Sequence, residues 1–197
     1  MKNKNNTSTT ERKKMEQKKN TNRGLVIIKT GGGKGKTTAA LGLALRAAGH
    51  GQRILILQFI KDGWKTGESK IMERLKPEIE MEQLGRGFIK FVDGKMHITQ
   101  KDRENAEASI QYAKEKINSG KYDMIILDEI NNIIAYGLVD EGKVIDLIKE
   151  RPKELNLVLT GRGATDRLIE TADTVSEIRE IKHAYSKGIK AKKGIEY

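Results

Sequence analysis

The chain of 197 residues contains no cysteine, and only 5% of its residues are aromatic. Without cysteine it can form no disulfide, no thiolate metal site and no redox dithiol, as is usual in a reducing compartment. No hydrophobic run is long enough to cross a bilayer, and the N-terminus lacks the apolar core of a signal peptide. These absences predict a cytoplasmic protein, and the length suits one domain.

The positive charge lies at the two ends of the chain. The formal net charge is +11, but residues 1–23 hold eight Lys or Arg and two Glu, and residues 182–197 hold five Lys and one Glu. A basic excess confined to polar ends favours solvated tails over a nucleic-acid-binding surface. Because residues 1–23 also lack apolar periodicity, we expect a flexible segment there and a folded domain at residues 24–197.

Short apolar runs alternate with helical patterns from residue 24 onward. Unbroken runs are typical of strands buried on both faces, as in a parallel sheet. The predicted strands are Leu25–Ile28, Ile54–Leu57, Met124–Leu127 and Leu157–Leu159. The predicted helices are Thr37–Ala48 before Gly49, one opened by the capping box Thr99–Asp102 and running to about Ser119, and Asp140–Lys149 before Pro152. The β-α-β order predicts an α/β domain with a mostly parallel, doubly wound sheet flanked by helices.

The junction between the first strand and the first helix is rich in glycine, lysine and threonine. Glycines let successive backbone N–H groups point at phosphate oxygens, and the helix N-terminus adds a positive dipole. Lys36 supplies a mobile cation, and Thr37 offers a hydroxyl to Mg²⁺. The pattern predicts a P-loop in a RecA-like domain. The predicted nucleotide-binding residues are Gly31, Gly32, Gly33, Lys34, Gly35, Lys36, Thr37 and Thr38.

The loop departs from the usual P-loop pattern G-x-x-x-x-G-K-[ST]. Counted back from Gly35, the position of the leading glycine is occupied by Thr30, and Gly31 comes one residue late. The cradle is effectively one residue short, so a triphosphate need not lie as it does in a kinase or a GTPase. A flexible glycine-rich turn is the alternative interpretation, and the strand-to-helix context argues against it.

Two carboxylates, Asp128 and Glu129, follow the apolar strand that ends at Leu127. Ligand sites of parallel sheets open at the carboxyl ends of the strands, so the pair is typical of a Walker B element that holds Mg²⁺ directly or through water. Successive strand side chains face opposite ways, and which carboxylate binds stays open. A strand-end turn with solvated acids is the alternative.

Arg162 lies between two glycines at the end of another predicted strand, on the same edge of the sheet. A guanidinium there can bind phosphate in a fork geometry, whereas an exposed arginine in a turn is the alternative. The three histidines, His50, His97 and His183, have no spacing typical of a metal site or a triad, so we expect structural or surface roles for them.

Together these motifs resemble the P-loop type of ATP:corrinoid adenosyltransferase, which acts on cob(I)alamin or cob(I)yrinic acid a,c-diamide. The resemblance covers the chain from about Gly24 to Tyr197. Its segments are Gly33–Ala40 with Leu41–Ala47, Gln58–Lys61, Leu127–Glu129, Leu159–Gly163, Ala172–Glu177, Lys182–Ala184, Gly188–Ala191 and Gly194–Tyr197. Many enzymes share a P-loop, whereas the C-terminal series is much more specific to this family.

The resemblance implies that Co(I) of a corrinoid attacks the 5′ carbon of ATP and that triphosphate leaves, in adenosylcobalamin synthesis or salvage. It implies that ATP lies reversed in the loop, with Mg²⁺ or Mn²⁺ as the metal ion. The implied catalytic residues are Lys36, Thr37 and Glu129. The implied metal ligands are Thr37 and Glu129, with Asp128 as the other carboxylate, and Arg162 would contact phosphate.

The segment Gly85–Phe88 resembles the part of the family that meets the corrin, so Phe88, Lys90 and Phe91 are the expected corrinoid-binding residues. The family commonly has Phe, one residue and then Trp, but Lys90 stands where that tryptophan would be. The difference leaves open how the lower axial face of cobalt is kept free of ligand, with Phe91 and Trp64 as the aromatic substitutes. The alternative interpretation is that Phe88 belongs to the hydrophobic core.

The resemblance has further implications for the ends of the chain and for its partners. In this family the N-terminal segment can order over the corrin, so residues 1–23 are expected to form a conditional lid on the active site. A reductase is expected to donate electrons, and a homodimer is an expectation of the family.

Two other functions share parts of this pattern. A P-loop kinase or ATPase would use the same loop and Mg²⁺ but would need a phosphate acceptor or a positioned water. An ATP-gated nucleic-acid-binding module would use the basic ends and would bind in a salt-dependent way. The nearly neutral central part of the chain argues against the second.

Overall fold

The computed structural model describes residues 23–60, 66–85, 90–92 and 95–195. The strands are β1 (Val26–Thr30), β2 (Ile54–Gln58), β3 (Ile79–Gln83), β4 (Lys90–Val92), β5 (Lys95–His97), β6 (Met124–Asp128), β7 (Asn156–Thr160) and β8 (Thr174–Glu177). The α-helices are α1 (Lys36–Ala48), α2 (Gly67–Met72), α3 (Gln100–Ile117), α4 (Ile130–Ala135), α5 (Glu141–Glu150) and α6 (Asp166–Thr171). Short 3₁₀ turns span Glu73–Leu75 and Ala184–Lys187.

Six strands form one sheet in the order β3-β2-β6-β7-β1-β8, and every neighbouring pair in it is parallel. Strands β4 and β5 form a separate antiparallel pair. Since all six strands run the same way, the loops that follow β1, β6 and β7 open at one edge of the sheet. The predicted α/β fold with a parallel sheet flanked by helices is confirmed.

The unbroken apolar strands are buried on both faces of the sheet, as their composition predicts. Every residue of β2 is buried, and its alternate side chains enter two separate cores. Ile54 and Ile56 pack with α1, whereas Leu55 and Leu57 pack with α3 and α5. Period-two alternation along a strand thus places a helix layer on each side, which is the doubly wound arrangement.

The predicted helix ends are confirmed with small shifts. Helix α1 ends at its C-cap Gly49, and α5 begins after Asp140, whose side chain accepts a hydrogen bond from the N–H of Gly142. The Thr99–Asp102 capping box is present at the start of α3, because Thr99 and Asp102 each accept from the other's backbone N–H. These caps satisfy the N–H groups that a helix start leaves without partners.

Strands β3, β4, β5 and β8 and helices α2, α4 and α6 were not predicted. Strands β3 and β8 are the edges of the six-stranded sheet, and their polar residues hide the apolar run that marks a buried strand. Strands β4 and β5 have only three residues each. The three helices have six residues each, too few for a periodic pattern to emerge. No helix among the described residues is long and apolar enough to span a membrane.

Candidate active site

The loop between β1 and α1 depends on glycine for its shape. Gly31 and Gly35 have φ angles of 99° and 109°, a region that only glycine adopts readily. Thr30, at the position where a P-loop usually has its first glycine, is instead the last residue of β1 and is buried. Its Oγ1 accepts a hydrogen bond from the N–H of Ala164 at 3.2 Å, so it ties the phosphate loop to the loop after β7. The sequence pattern did not reveal this role.

The segment that follows β8 braces the phosphate loop from one side. The N–H of Gly33 donates to the carbonyl of Ile178 at 2.7 Å, and the N–H of Ile178 donates to the carbonyl of Thr30 at 2.8 Å. A Cβ added at Gly33 would lie 2.7 Å from that Ile178 carbonyl oxygen and as close to the backbone of Arg179. The glycine at position 33 therefore serves close backbone packing, whereas a Cβ at Gly32 would meet nothing within 4 Å.

We expect Gly33→Ala to lower the free energy of unfolding by about 1–3 kcal/mol, because the added methyl must push two backbone segments apart. Gly32→Ala is the matched control and should change that free energy by less than about 0.5 kcal/mol. Urea unfolding followed by circular dichroism measures both. Equal stabilities of the two variants would show that the contact with Ile178 does not constrain the loop.

Lys36, the first residue of α1, folds back over the loop. Its Nζ donates to the carbonyl oxygens of Gly31 at 2.8 Å and Gly33 at 2.6 Å. Burial lowers the pKa of Lys36, and the nearby Arg162 lowers it further, while Glu129 and Asp128 act in the opposite sense. The ammonium is thus held in a partly desolvated position, where its interaction with a polyphosphate would be stronger than in water.

Asp128 ends β6 in a buried network of hydrogen bonds. Its Oδ1 accepts from the hydroxyls of Thr37 at 2.8 Å and Thr160 at 2.7 Å. Its Oδ2 accepts from the Nε2 of Gln58 at 3.0 Å, and Gln58 in turn accepts from the Nε2 of Gln83 at 3.2 Å. Because Thr37 donates its proton to Asp128, the lone pairs of its hydroxyl are oriented away from that carboxylate.

Glu129 has a backbone conformation that is unusual for its residue type. Its φ of 67° lies in the left-handed region, and no other non-glycine residue among those described has a positive φ. The N–H of Glu129 donates to the hydroxyl of Thr160 at 2.8 Å, which supports the turn into α4. Strained backbone of this kind is found mostly at functional sites. The turn directs the side chain of Glu129 to the same cavity that Lys36 lines.

The loop after β7 is held against α4 by two asparagines. Asn132 Oδ1 accepts from the N–H of Arg162 at 2.5 Å, and Asn131 Nδ2 donates to the carbonyl of Gly161 at 3.4 Å. Gly161 has a φ of 135°, and a Cβ there would lie 2.7 Å from Asn132 Oδ1. The packing fixes the backbone of Arg162 at the rim of the cavity. Asn131 and Asn132 were not predicted, since two asparagines in a short helix carry no signal of their own.

These elements surround one cavity of about 660 Å³ at the carboxyl edge of the sheet. The predicted residues that line it are Gly32, Gly33, Lys34, Gly35, Lys36, Thr37, Thr38, Glu129 and Arg162. The predicted residues Gly31 and Asp128 do not line it but contact Lys36 and Thr37, which do. The C-terminal segment also lines the cavity, through residues that include Glu180 and His183. The His183 side chain caps the turn Ala184–Lys187, in keeping with the structural role expected for it.

The donor set of this cavity fits Mg²⁺. Thr37 and Glu129 line the cavity and offer a hydroxyl and a carboxylate, the hard oxygen ligands that this ion prefers, and the carboxylate of Asp128 contacts the Thr37 hydroxyl. No cluster of three or more His, Cys, Asp or Glu side chains that could hold a metal occurs among the described residues. The ion would therefore need phosphate or water oxygens to complete six ligands, as is usual when Mg²⁺ binds together with a nucleotide.

Of the predicted corrinoid-binding residues, the structure describes only the backbones of Lys90 and Phe91. Phe88 and Trp64 fall outside the described residues. Lys90 and Phe91 lie on β4, where their backbones pair with His97 and Met96 of β5. Residues 1–22 of the expected N-terminal lid also fall outside the described part of the chain.

Comparisons with known proteins agree with the resemblance. A family model described as ATP:corrinoid adenosyltransferase BtuR/CobO/CobP matches residues 22–197. The chain is 39% identical over 175 residues to the corrinoid adenosyltransferase of Escherichia coli (strain K12), covering 89% of this chain and 86% of that protein. It is 38% identical over 175 residues to corrinoid adenosyltransferase CobA of Salmonella typhimurium (strain LT2), with the same coverage of both chains.

A solved structure resembles the fold. It is a KaiC-like protein of the hyperthermophilic archaeon Pyrococcus horikoshii OT3, with a TM-score of 0.53 and 16% sequence identity. The match covers 82% of this chain and 76% of that one. At this identity the likeness concerns the arrangement of strands and helices alone.

Proposed function

This chain belongs to the family of ATP:corrinoid adenosyltransferases, and we propose that it transfers the 5′-deoxyadenosyl group of ATP to the Co(I) centre of a corrinoid. The observation that carries the proposal is the cavity in which a shortened phosphate loop faces Glu129 and Arg162. Adenosylcobalamin synthesis or salvage is the corresponding role in the cell. A reducing cytoplasm suits the reaction, because Co(I) is easily oxidised.

The reaction displaces triphosphate from the 5′ carbon of ATP. An electron pair of Co(I) forms the Co–C bond, while the bond between C5′ and its oxygen breaks and that electron pair leaves on triphosphate. Cobalt is oxidised from Co(I) to Co(III) in this step. Because the corrinoid brings the nucleophile, no side chain of the protein has to supply one. The protein must bind ATP, align C5′ and stabilise the charge that grows on the leaving oxygen.

We assign the binding of triphosphate to the backbone of the loop and to three cationic side chains. Apart from Gly33, whose N–H donates to the carbonyl of Ile178, the backbone N–H groups of residues 31–38 and the positive end of α1 would face the phosphate oxygens. Lys36 already lies over the loop, where phosphate oxygens can replace the carbonyls of Gly31 and Gly33 as its acceptors. Lys34 and Arg162 line the same cavity and would add charge-assisted contacts.

We propose Thr37 and Glu129 as direct ligands of the metal ion, with Asp128 behind them. Both oxygens of Asp128 already accept hydrogen bonds from the protein, and one of the donors is Thr37 itself. Asp128 would thereby orient the Thr37 hydroxyl toward the ion. Mg²⁺ or Mn²⁺, when bound, would supply positive charge that offsets the charge of the departing triphosphate.

The corrinoid would meet the protein near Phe88, Lys90 and Phe91, which is a proposal from the family resemblance. A reductase that delivers electrons to cobalt and a homodimer are proposals on the same ground. The natural acceptor would be cobalamin or one of its corrinoid precursors.

The reaction products test the proposed function against phosphoryl transfer. The full chain is incubated with ATP, Mg²⁺ and chemically reduced cobalamin, and formation of the Co–C bond is followed by absorbance. Adenosyl transfer predicts one inorganic triphosphate per adenosylated corrinoid. Formation of ADP without alkylated cobalt would instead identify a kinase or an ATPase.

The basic ends of the chain allow the nucleic-acid alternative to be tested directly. Salt-dependent binding of a DNA or RNA duplex that disappears when residues 1–22 are deleted would favour it. We expect no specific binding, since the excess charge is confined to the ends.

We expect deletion of residues 1–22 to leave ATP affinity almost unchanged while weakening corrinoid binding or slowing transfer. A closed site would protect Co(I) from water and oxidation, and the expected triphosphate contacts begin only at the phosphate loop. Arg23 is retained because its guanidinium contacts Asp173 at 2.6 Å. If the truncated chain binds corrinoid and transfers the adenosyl group as the full chain does, residues 1–22 are only a solubilising tail.

A further inference from the structure

The C-terminal wall of the cavity carries a histidine close to the phosphate loop. The wall is attached to the loop by the hydrogen bond from Gly33 to Ile178 and by the close packing of Gly31 and Gly33 against residues 178–179. His183 follows Arg179 by four residues, a stretch that spans about 14 Å at most. His183 is half-buried and lines the same cavity as Lys36.

The hydrogen bonding of His183 determines which ring nitrogen carries the proton. Its Nδ1 accepts the N–H of Tyr185 at 3.1 Å, at the start of the turn Ala184–Lys187. A nitrogen that accepts a hydrogen bond has no proton of its own, so the proton of the neutral ring is on Nε2. No acceptor for that proton is found among the described residues, and the ring borders the cavity.

We propose that the Nε2–H of His183 donates a hydrogen bond to a phosphate oxygen of the bound nucleotide. The inference deepens the proposed function, on which it rests for the identity of the nucleotide as ATP. The attachment of the wall to Gly31 and Gly33 places His183 near the loop that would hold phosphate. Because Lys36 and His183 both line the cavity, phosphate bound there could be contacted by both side chains.

Two substitutions separate this contact from the structural role of the ring. In His183→Asn the side-chain oxygen can take the place of Nδ1 and still accept from Tyr185, but nothing remains at the position of Nε2. In His183→Gln the amide nitrogen can reach the position of Nε2 and donate, while the acceptor at Nδ1 is lost. The corresponding substitutions of His50, an exposed residue just after α1, are the matched controls.

The measurement is binding of inorganic triphosphate and of ATP to the full chain by calorimetry, with Mg²⁺ and without corrinoid. We expect His183→Asn to weaken both affinities about tenfold, the loss typical of a hydrogen bond to a charged group. His183→Gln should stay within about twofold of the unsubstituted protein, and so should both His50 variants. Thermal unfolding of each variant confirms that the fold is retained.

The opposite pattern, with normal binding in His183→Asn and weaker binding in His183→Gln, would overturn the proposal and leave His183 as a cap of the turn. Weaker ATP binding with unchanged triphosphate binding would also overturn it, because the contact would then be to the nucleoside. Failure of His183→Gln to retain affinity would reject Nε2 as the donor. The binding measurement does not involve corrinoid. It therefore tests the contact between His183 and phosphate even if the product assay shows phosphoryl transfer.

Discussion

Lys36→Ala is expected to lower the rate of adenosyl transfer at saturating ATP by about 10²–10³-fold, the loss seen when one preorganised charge-stabilising donor is removed from an active site. The ammonium is preorganised by its two hydrogen bonds to the carbonyls of Gly31 and Gly33. It lies in a partly desolvated position, where the charge of a leaving triphosphate is stabilised more strongly than in water. Absorbance of the Co–C bond measures the rate.

Two further variants make this result specific. Lys36→Met keeps much of the side-chain volume without the charge and should lose as much activity as the alanine variant. Lys149→Ala removes an exposed lysine near the end of α5 and should leave the rate unchanged. A near-normal rate for Lys36→Ala at saturating ATP would contradict the assigned role.

Glu129→Gln is expected to raise the Mg²⁺ concentration required for half-maximal activity by about tenfold or more, and more than Asp128→Asn does. Glu129 lines the cavity, so its carboxylate can reach an ion bound beside Thr37. Asp128 is buried, and both of its oxygens are engaged by Thr37, Thr160 and Gln58. Titration of activity with Mg²⁺ at fixed ATP measures the two requirements.

The free energy of unfolding is a second measurement that distinguishes the roles of Asp128 and Glu129. Asp128→Asn should lower the free energy of unfolding by about 1–3 kcal/mol, because a buried amide cannot accept from all three donors as the carboxylate does. Glu129→Gln should change stability little. Glu180→Gln, which changes another carboxylate that lines the cavity, is the control and should leave the Mg²⁺ requirement unchanged. If Asp128→Asn raised the Mg²⁺ requirement more than Glu129→Gln, Asp128 would be the metal ligand instead of Glu129.

The local pattern of apolar residues was sufficient to predict the buried strands of the sheet. The apolar runs at β1, β2, β6 and β7 were predicted to within two residues at each end, because a strand covered on both faces must be apolar throughout. The edge strand β3 has alternating polar residues and escaped the same test. It forms a strand by pairing with β2, and that pairing is not visible in five residues of sequence.

The family was recognisable from the sequence alone because its motifs are short and contiguous. Glycines, a lysine and a threonine between a strand and a helix have few other uses, and the C-terminal series is specific. The same locality explains why Lys36, Thr37, Glu129 and Arg162 could be proposed as one site. The carboxyl ends of parallel strands must open at one edge, whatever the details of packing.

Tertiary structure alone decided the contacts made between distant segments. Gln58 orients Asp128 from 70 residues away, Thr30 binds the N–H of Ala164, and the segment after Glu177 closes on the phosphate loop to place His183 in the cavity. Such pairings depend on strand order and on backbone segments that pass so close to Gly31 and Gly33 that a Cβ there would lie less than 3 Å from them. The sequence by itself determined which chemical groups are present and the chemistry they suit. Their partners were decided by the fold, since a hydrogen bond is specified by positions in space and not by spacing along the chain.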